Sequence, residues 1–182
     1  MHVFPQLREL EKKYSAEMVV IGVHSAKFTA EKATNSVRKA ILRYEIGHPV
    51  VNDHDFDVWQ RYAVRAWPTL MFVDPEGKVV GKHEGEIVLD AFDQFIAEMV
   101  ARFDEHGSID RRPLSFKLER EKEKERQLSF PGKVLADGAS DRLFVADSNH
   151  NRVVIATLGG EVLDVVGSGE KGFVDGGYDS AR

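Results

Sequence analysis

The 182-residue chain contains no cysteine. This absence excludes disulfides, thiolate metal sites and thiol nucleophiles within the chain itself. Long apolar runs are also lacking, since none approaches the ~20 residues that a membrane-spanning helix needs. Positive charge is not in excess either, with 25 Lys and Arg against 30 Asp and Glu. We therefore expect no nucleic-acid partner, because such binding requires clustered positive charge.

The seven histidines of the sequence do not form a metal-binding pattern. No two of them have the HxxxH or HExxH spacing that places two ligands on one helix face. His48 and His54 lie near the acidic stretch Asp53–Asp57, whose carboxylates are best explained by helix capping. The tail Gly167–Gly172 has the glycine spacing of a dinucleotide fingerprint, but no helix pattern follows it. We predict neither a metal nor an organic cofactor.

Apolar spacing predicts an α/β architecture for the first 103 residues. Helical periodicity and capping residues predict helices over 2–14, 30–44, between 52 and 63, and over 87–103. Short apolar runs predict strands over 18–24, 49–51, 67–74 and 78–84, the last two joined as a hairpin. Alternation followed by a hairpin is typical of an α/β layer fold with a mixed sheet.

The composition changes after residue 103. Between Lys117 and Arg126, nine of ten residues are charged, so residues 104–128 are predicted to be a solvated linker. Residues 129–182 hold nine of the fifteen glycines. Four short apolar runs follow there at regular intervals, around Val134, Phe144, Val154 and Val162. Four short strands with tight turns are the content of one propeller blade.

The run from Tyr62 to Gly77 carries a first resemblance. It reads Y-x-V-x-x-x-P-T-x-x-x-x-D-x-x-G, which resembles the cis-proline signature of the thioredoxin-like superfamily, in particular its redoxin branch. The resemblance extends over residues 1–103 and implies a thioredoxin-like domain. It further implies that Pro68 is the cis-proline and that Trp67 presents backbone groups to a bound peptide or thiol partner. Trp67 and Pro68 are therefore the predicted substrate-facing residues.

The Cys-x-x-Cys motif of that superfamily is not in the sequence. A proline typically follows its second cysteine by five positions, and Pro5 stands at position five. We therefore expect the chain to begin one residue after the redox motif. It would then also lack the first strand, which leads into the motif and normally lies inside the sheet. The alternative is an authentic start at Met1, with the cysteines lost.

Residues 129–182 resemble one NHL repeat, the blade of an NHL β-propeller. The resemblance rests on Phe130–Pro131, on the segment Arg142–Val153 and on Gly159–Gly160. Asn151 stands at the name-giving third position in place of Leu. The segment Gly167–Ala181 resembles the lead-in to a following blade. We therefore expect a single four-stranded blade that is cut at its C-terminal end.

The order of these parts resembles the NHL-repeat-containing protein 2 family. We predict a thioredoxin-like domain over 1–103, a charged linker over 104–128 and a first NHL blade over 129–182. The resemblance implies a fragment of a thiol–disulfide oxidoreductase or redox-signalling protein, active in cell redox homeostasis. There a low-pKa cysteine just before Met1 would attack a disulfide and a second one would resolve the mixed disulfide.

Two other interpretations remain open from the sequence. A non-catalytic protein-binding scaffold is favoured by the absence of cysteine if Met1 is the authentic start. A non-functional truncation product would expose an unpaired sheet edge and one unclosed blade. For the functional interpretations, the expected partners are proteins, bound by the thioredoxin-like face and the propeller. The expected compartment is the cytoplasm.

Overall fold

A computed structural model of the chain describes residues 3–86, 88–122 and 126–182. The chain divides into two compact units, Met1–Lys122 and Glu123–Arg182. The residues outside the described part are residue 1, residue 2 of the first predicted helix, Ile87 at the start of the last one, and linker residues 123–125. Among the described residues, no helix combines the length and the apolar character that crossing a bilayer requires.

The first unit alternates helices and strands in the predicted order. Its helices are α1 (Val3–Lys13), α2 (Thr34–Arg43), α3 (Asp57–Arg61) and α4 (Leu89–Glu105). Its strands are β1 (Gly22–His24), β2 (Val50–Asn52), β3 (Thr69–Val73) and β4 (Val79–Glu84). Single turns of 3-10 helix lie at Thr29–Glu31 and Glu119–Lys122, the second against α2. Strand β1 and helix α3 are both shorter than predicted.

The strands of this unit form two separate pairs. β1 and β2 run parallel, with Val23 opposite Val51, and β3 and β4 form the predicted antiparallel hairpin. The sequence predicts one mixed sheet, but in the described part of the chain the two pairs share no hydrogen bonds. β1 and β3 therefore each keep one edge without a strand partner among those residues.

The hairpin turn is ordered by a buried carboxylate, that of Asp74. One oxygen, Oδ1, accepts hydrogen bonds from the amides of Glu76 and Lys78, both at 2.9 Å. Gly77 completes the turn with φ 83, a conformation that only glycine adopts without strain.

The core of the first unit lies between α1, α4 and β3. Leu7, Leu10 and Tyr14 recur at helical spacing, so that one face of α1 is apolar. Leu10 and Tyr14 pack with Phe92 and Ile96 of α4 as a buried cluster. The Tyr14 hydroxyl donates to Oδ1 of Asp93 at 2.8 Å, which satisfies its polar end inside this cluster.

The second unit is a four-stranded antiparallel sheet. Its strands are β5 (Lys133–Asp137), β6 (Arg142–Asp147), β7 (Arg152–Ala156) and β8 (Val162–Val166), paired in sequence order. This confirms the four predicted strands. One sheet of four strands is not a closed propeller. Cross-strand rows on both faces are apolar: Val134, Val145, Val154 and Val165 on one face, and Leu135, Phe144 and Ile155 on the other.

The turn between β6 and β7 is built around Asp147, which is 0% exposed. Its Oδ1 accepts from the Ser129 amide at 2.6 Å, and its Oδ2 accepts from His150 Nδ1 at 2.7 Å and Arg152 Nε at 2.9 Å. Burial alone would raise the pKa of Asp147, but these hydrogen bonds hold it below its usual value. Asn151 closes the turn in the left-handed region.

Candidate functional site

Trp67 and Pro68 lie on the loop that leads from α3 into β3. The peptide bond between them is cis, and both residues are exposed. The Pro68 carbonyl accepts a hydrogen bond from the Gly85 amide at 2.9 Å. The Thr69 hydroxyl donates to the Ala66 carbonyl at 2.7 Å, so the loop is tied on both sides of the proline. That these two residues face a substrate stays a prediction.

The Trp67 indole lies against the carboxyl end of β1. Its Nε1–H donates to the Ser25 carbonyl oxygen at 2.8 Å. The ring packs on that of Trp59 in α3, with 4.3 Å between centroids and 35° between planes. Half of Trp67, 50%, nevertheless remains exposed. The residue therefore presents a fixed aromatic face to the solvent.

Lys27 and Phe28 border this aromatic face. Lys27 Nζ lies 6.0 Å from the centroid of the Trp67 ring and 5.8 Å from that of Phe28. Phe28 is itself exposed. We call the surface of Lys27, Phe28, Trp67 and Pro68 the partner face. Two exposed rings beside an ammonium group can bind an apolar side chain and a neighbouring acceptor.

A buried carboxylate, that of Asp53, joins the elements behind the partner face. Asp53 directly follows β2 and is 5% exposed. Its Oδ2 accepts from the Ser25 hydroxyl at 2.7 Å and the Trp59 amide at 3.0 Å, and its Oδ1 accepts from the Val58 amide at 2.9 Å. Its own amide donates to the His24 carbonyl at 3.0 Å. Asp53 thus connects the ends of β1 and β2 with the start of α3.

The pKa of Asp53 lies below its usual value. Burial alone would raise this pKa, because it penalises the charged form. The hydrogen bonds from the Ser25 hydroxyl and from the amides of Val58 and Trp59 outweigh burial, because each of them stabilises the carboxylate. The predicted capping role of this acidic stretch is confirmed for Asp53, whose two amide donors belong to the first turn of α3.

The site has no group that can carry out thiol chemistry, because the whole chain lacks cysteine. The described residues also contain no group of three or more His, Asp or Glu side chains placed to hold a metal ion. What the arrangement itself provides is an exposed aromatic surface whose loop and indole are held by hydrogen bonds.

Sequence reasoning missed how Ser25, Asp53 and Trp59 come together around Trp67. Trp59, on the predicted helix between 52 and 63, is half-buried and packs against Trp67 with its ring plane tilted by 35°. The two predicted strands that lie parallel, β1 and β2, could have indicated that Ser25 and Asp53 are neighbours. Their carboxyl ends meet at one edge of a sheet, which places the residues after β1 and β2 side by side.

Comparison with known proteins finds a matching family and two longer relatives. Residues 1–79 match a protein family described as Thioredoxin-like. Protein SUPPRESSOR OF QUENCHING 1, chloroplastic, from Arabidopsis thaliana is 41% identical over 186 residues, a match that covers 100% of this chain and 18% of that protein. NHL repeat-containing protein 2 from Gallus gallus is 37% identical over 183 residues, covering 100% of this chain and 25% of the relative.

A bacterial relative matches a shorter part of the chain. Thiol-disulfide oxidoreductase ResA from Bacillus cereus is 24% identical over 95 residues, which cover 52% of this chain and 53% of that protein. The chain spans about a fifth to a quarter of the length of the Arabidopsis and Gallus relatives. These two match the chain in full, through the thioredoxin-like part and the four-stranded sheet alike.

Proposed function

We propose that this chain is part of a longer protein of thiol–disulfide exchange or redox signalling, because residues 1–79 match the Thioredoxin-like family. In that protein it supplies the surface that binds the partner and not the reacting thiols. The observation that carries this proposal is the half-exposed Trp67 next to Pro68, whose indole is held by its hydrogen bond to the Ser25 carbonyl. The similarity to a relative named as a thiol–disulfide oxidoreductase supports it.

The proposed reaction needs two cysteines from outside this chain. A first thiolate attacks one sulfur of the partner's disulfide, forms a mixed disulfide and releases the other sulfur as a thiolate. A second thiolate attacks the mixed disulfide and releases the first partner sulfur as well. The partner is thereby reduced to a dithiol, which takes up two protons, and the protein dithiol is oxidised to a disulfide. Trp67 and Pro68 hold the partner chain during both attacks.

The second unit supplies one blade of an NHL propeller in this proposal. The sheet β5–β8 is mainly apolar on both faces, although Asp164 stands opposite Ile155, and several apolar side chains of its strands are exposed: Val134, Leu135, Val153 and Val162. A sheet that is apolar on both faces needs a covering layer on each of them. Neighbouring blades of a propeller supply two such layers. The propeller then serves as a second surface for protein partners.

The domain boundaries at 103 and 128 are part of the same proposal. Within the predicted linker, Arg111 forms ion pairs with Glu17 at 3.0 Å and with Asp104 at 2.6 Å. Arg38 of α2 pairs with Glu119 at 3.3 Å. The segment 104–122 therefore packs as part of the first unit, Met1–Lys122. The cytoplasmic compartment stays a prediction, and the Arabidopsis relative is named as chloroplastic.

Insulin reduction by the full gene product that contains this chain tests the proposal. We expect dithiothreitol-dependent reduction, with kcat/KM lowered roughly tenfold or more by Trp67→Ala, because a misplaced partner reacts slowly. Phe173→Ala is the control, since Phe173 is a fully exposed aromatic residue of the other unit. Absence of thiol-dependent activity contradicts the enzymatic function.

A non-catalytic protein-binding scaffold is the second candidate function. The absence of cysteine favours it if Met1 is the authentic start. Affinity capture by the 182-residue chain, with dithiothreitol present and lysate thiols alkylated, distinguishes the two functions. Partners that survive both treatments and require Trp67 support a scaffold. Partners that are captured by the full gene product solely as mixed disulfides contradict it.

A further inference from the structure

We propose that Asp53 is the positioning residue of the partner face: its carboxylate fixes the orientation of both tryptophans, Trp67 through Ser25 and Trp59 through α3. That Asp53 orients the two tryptophans is argued from the geometry alone. That this orientation matters for partner binding rests on the proposed function.

The path from Asp53 to Trp67 passes through the backbone of Ser25. The Ser25 side chain is buried, and its one hydroxyl proton goes to Asp53 Oδ2 at 2.7 Å. The residue before it, His24, accepts a hydrogen bond from the Asp53 amide at 3.0 Å. Asp53 therefore holds the chain at the two groups that directly precede the Ser25 carbonyl group, the His24 carbonyl and the Ser25 side chain. That carbonyl is the acceptor for the Trp67 indole at 2.8 Å.

The path from Asp53 to Trp59 passes through helix α3. This helix has five residues and is far too short to be stable by itself. Its N-cap residue, Phe56, has φ 64 and makes no side-chain hydrogen bond to the helix amides. Asp53 accepts from two of those amides, Val58 and Trp59, and so stabilises the helix that carries the Trp59 ring.

Both paths end at the same pair of rings. Trp59 and Trp67 are the two tryptophans of the chain, and their centroids lie 4.3 Å apart. A loop tryptophan that is half exposed is not held by burial alone. Its orientation depends on the hydrogen bond at Nε1 and on the stacked ring, and the Asp53 carboxylate orders both. Removal of that carboxylate therefore disorders the partner face directly.

Asp74 offers a matched control for Asp53. Both aspartates are buried, since Asp74 is 7% exposed and Asp53 is 5% exposed. Each accepts hydrogen bonds from two backbone amides of the turn that follows it. Within the described part of the chain, Asp74 bonds to Glu76, Gly77 and Lys78, and none of its hydrogen bonds reaches a tryptophan or its acceptor. If Asp53 acted only as a structural cap, Asp53→Ala and Asp74→Ala would have the same consequences.

Circular dichroism of the 182-residue chain tests the positioning step. Two stacked indoles give an exciton couplet, which Trp59→Phe and Trp67→Phe must each abolish. We expect Asp53→Ala to lose the couplet and Asp74→Ala to keep it, although both lower the melting temperature. Loss of the couplet in both variants, or its retention in Asp53→Ala, overturns the proposal.

Ser25→Ala keeps the proposal testable if Asp53→Ala does not fold. It removes one hydrogen bond of Asp53 and leaves the α3 amides bonded. We expect a weakened couplet and, in the full gene product, a raised KM for insulin with kcat changed less. An unchanged couplet with an unchanged KM overturns the proposal. If Trp67→Ala leaves insulin reduction unaltered, the proposed function fails, while the couplet still decides the positioning role.

Discussion

Replacement of Asp147 by alanine tests the account of the second unit. The change removes the acceptor for the Ser129 amide, for His150 Nδ1 and for Arg152 Nε. A neutral hydrogen bond contributes about 1 kcal/mol and one to a charged group about 1.5–3 kcal/mol. His150 and Arg152 are each about a third exposed, so water replaces part of what they lose. We expect a destabilisation of about 3 kcal/mol.

Amide hydrogen exchange is the appropriate assay, because it reports the second unit separately. A destabilisation of about 3 kcal/mol lowers the protection of the β6 and β7 amides about 10²-fold. The control is Asp137→Ala, which removes a carboxylate from the β5–β6 turn, where it accepts from the Ala139 amide at 3.0 Å and from the Ser140 hydroxyl. Asp137 is half-buried, so a much smaller loss is expected. Equal protection in the two variants refutes the reasoning.

Three further predictions concern pH, packing and backbone conformation. Because the pKa of folded Asp53 is lowered, its stabilisation is fully present above the unfolded value of about 4 and is lost as pH falls through the folded value. In an acid titration followed by tryptophan fluorescence, the low-pH transition is therefore expected to be weaker in Asp53→Asn than in the wild type, and an unchanged transition contradicts this. Tyr14→Phe removes the bond to Asp93 and is expected to destabilise the first unit by about 1 kcal/mol in urea unfolding, with an unchanged m-value as the check on two-state behaviour. Gly167→Ala introduces a Cβ 2.8 Å from the Asn151 carbonyl oxygen, at a position where φ is 116°. We therefore expect the amides of the second unit to be less protected against hydrogen exchange in this variant. Protection equal to that of the wild type contradicts this.

The sequence predicts the order of the elements well, because their apolar patterns are local. The hairpin β3–β4 and the strands β5–β8 follow from runs of apolar residues between turn residues. The single mixed sheet was not predicted correctly, because sheet membership depends on pairing between distant segments. In the described residues β1 pairs with β2 and not with β3.

The candidate site was predicted in part for the same reason. Trp67 and Pro68 belong to one contiguous run, so a local motif identifies them. The groups that hold Trp67 are 42 residues away at Ser25, and Ser25 is in turn 28 residues from Asp53. Their contact is set by the register of β1 on β2, in which His24 lies opposite Asn52. No local pattern in the sequence contains that register.

Direct binding of a disulfide-containing polypeptide to the 182-residue chain tests the central claim. The chain has no thiol, so fluorescence anisotropy of labelled insulin reports binding without reaction. We predict a saturable rise in anisotropy as the chain is added. Trp67→Ala is expected to abolish this rise, and Phe173→Ala is expected to preserve it. Absence of saturable binding, or equal binding by Trp67→Ala, contradicts the assignment of the partner face.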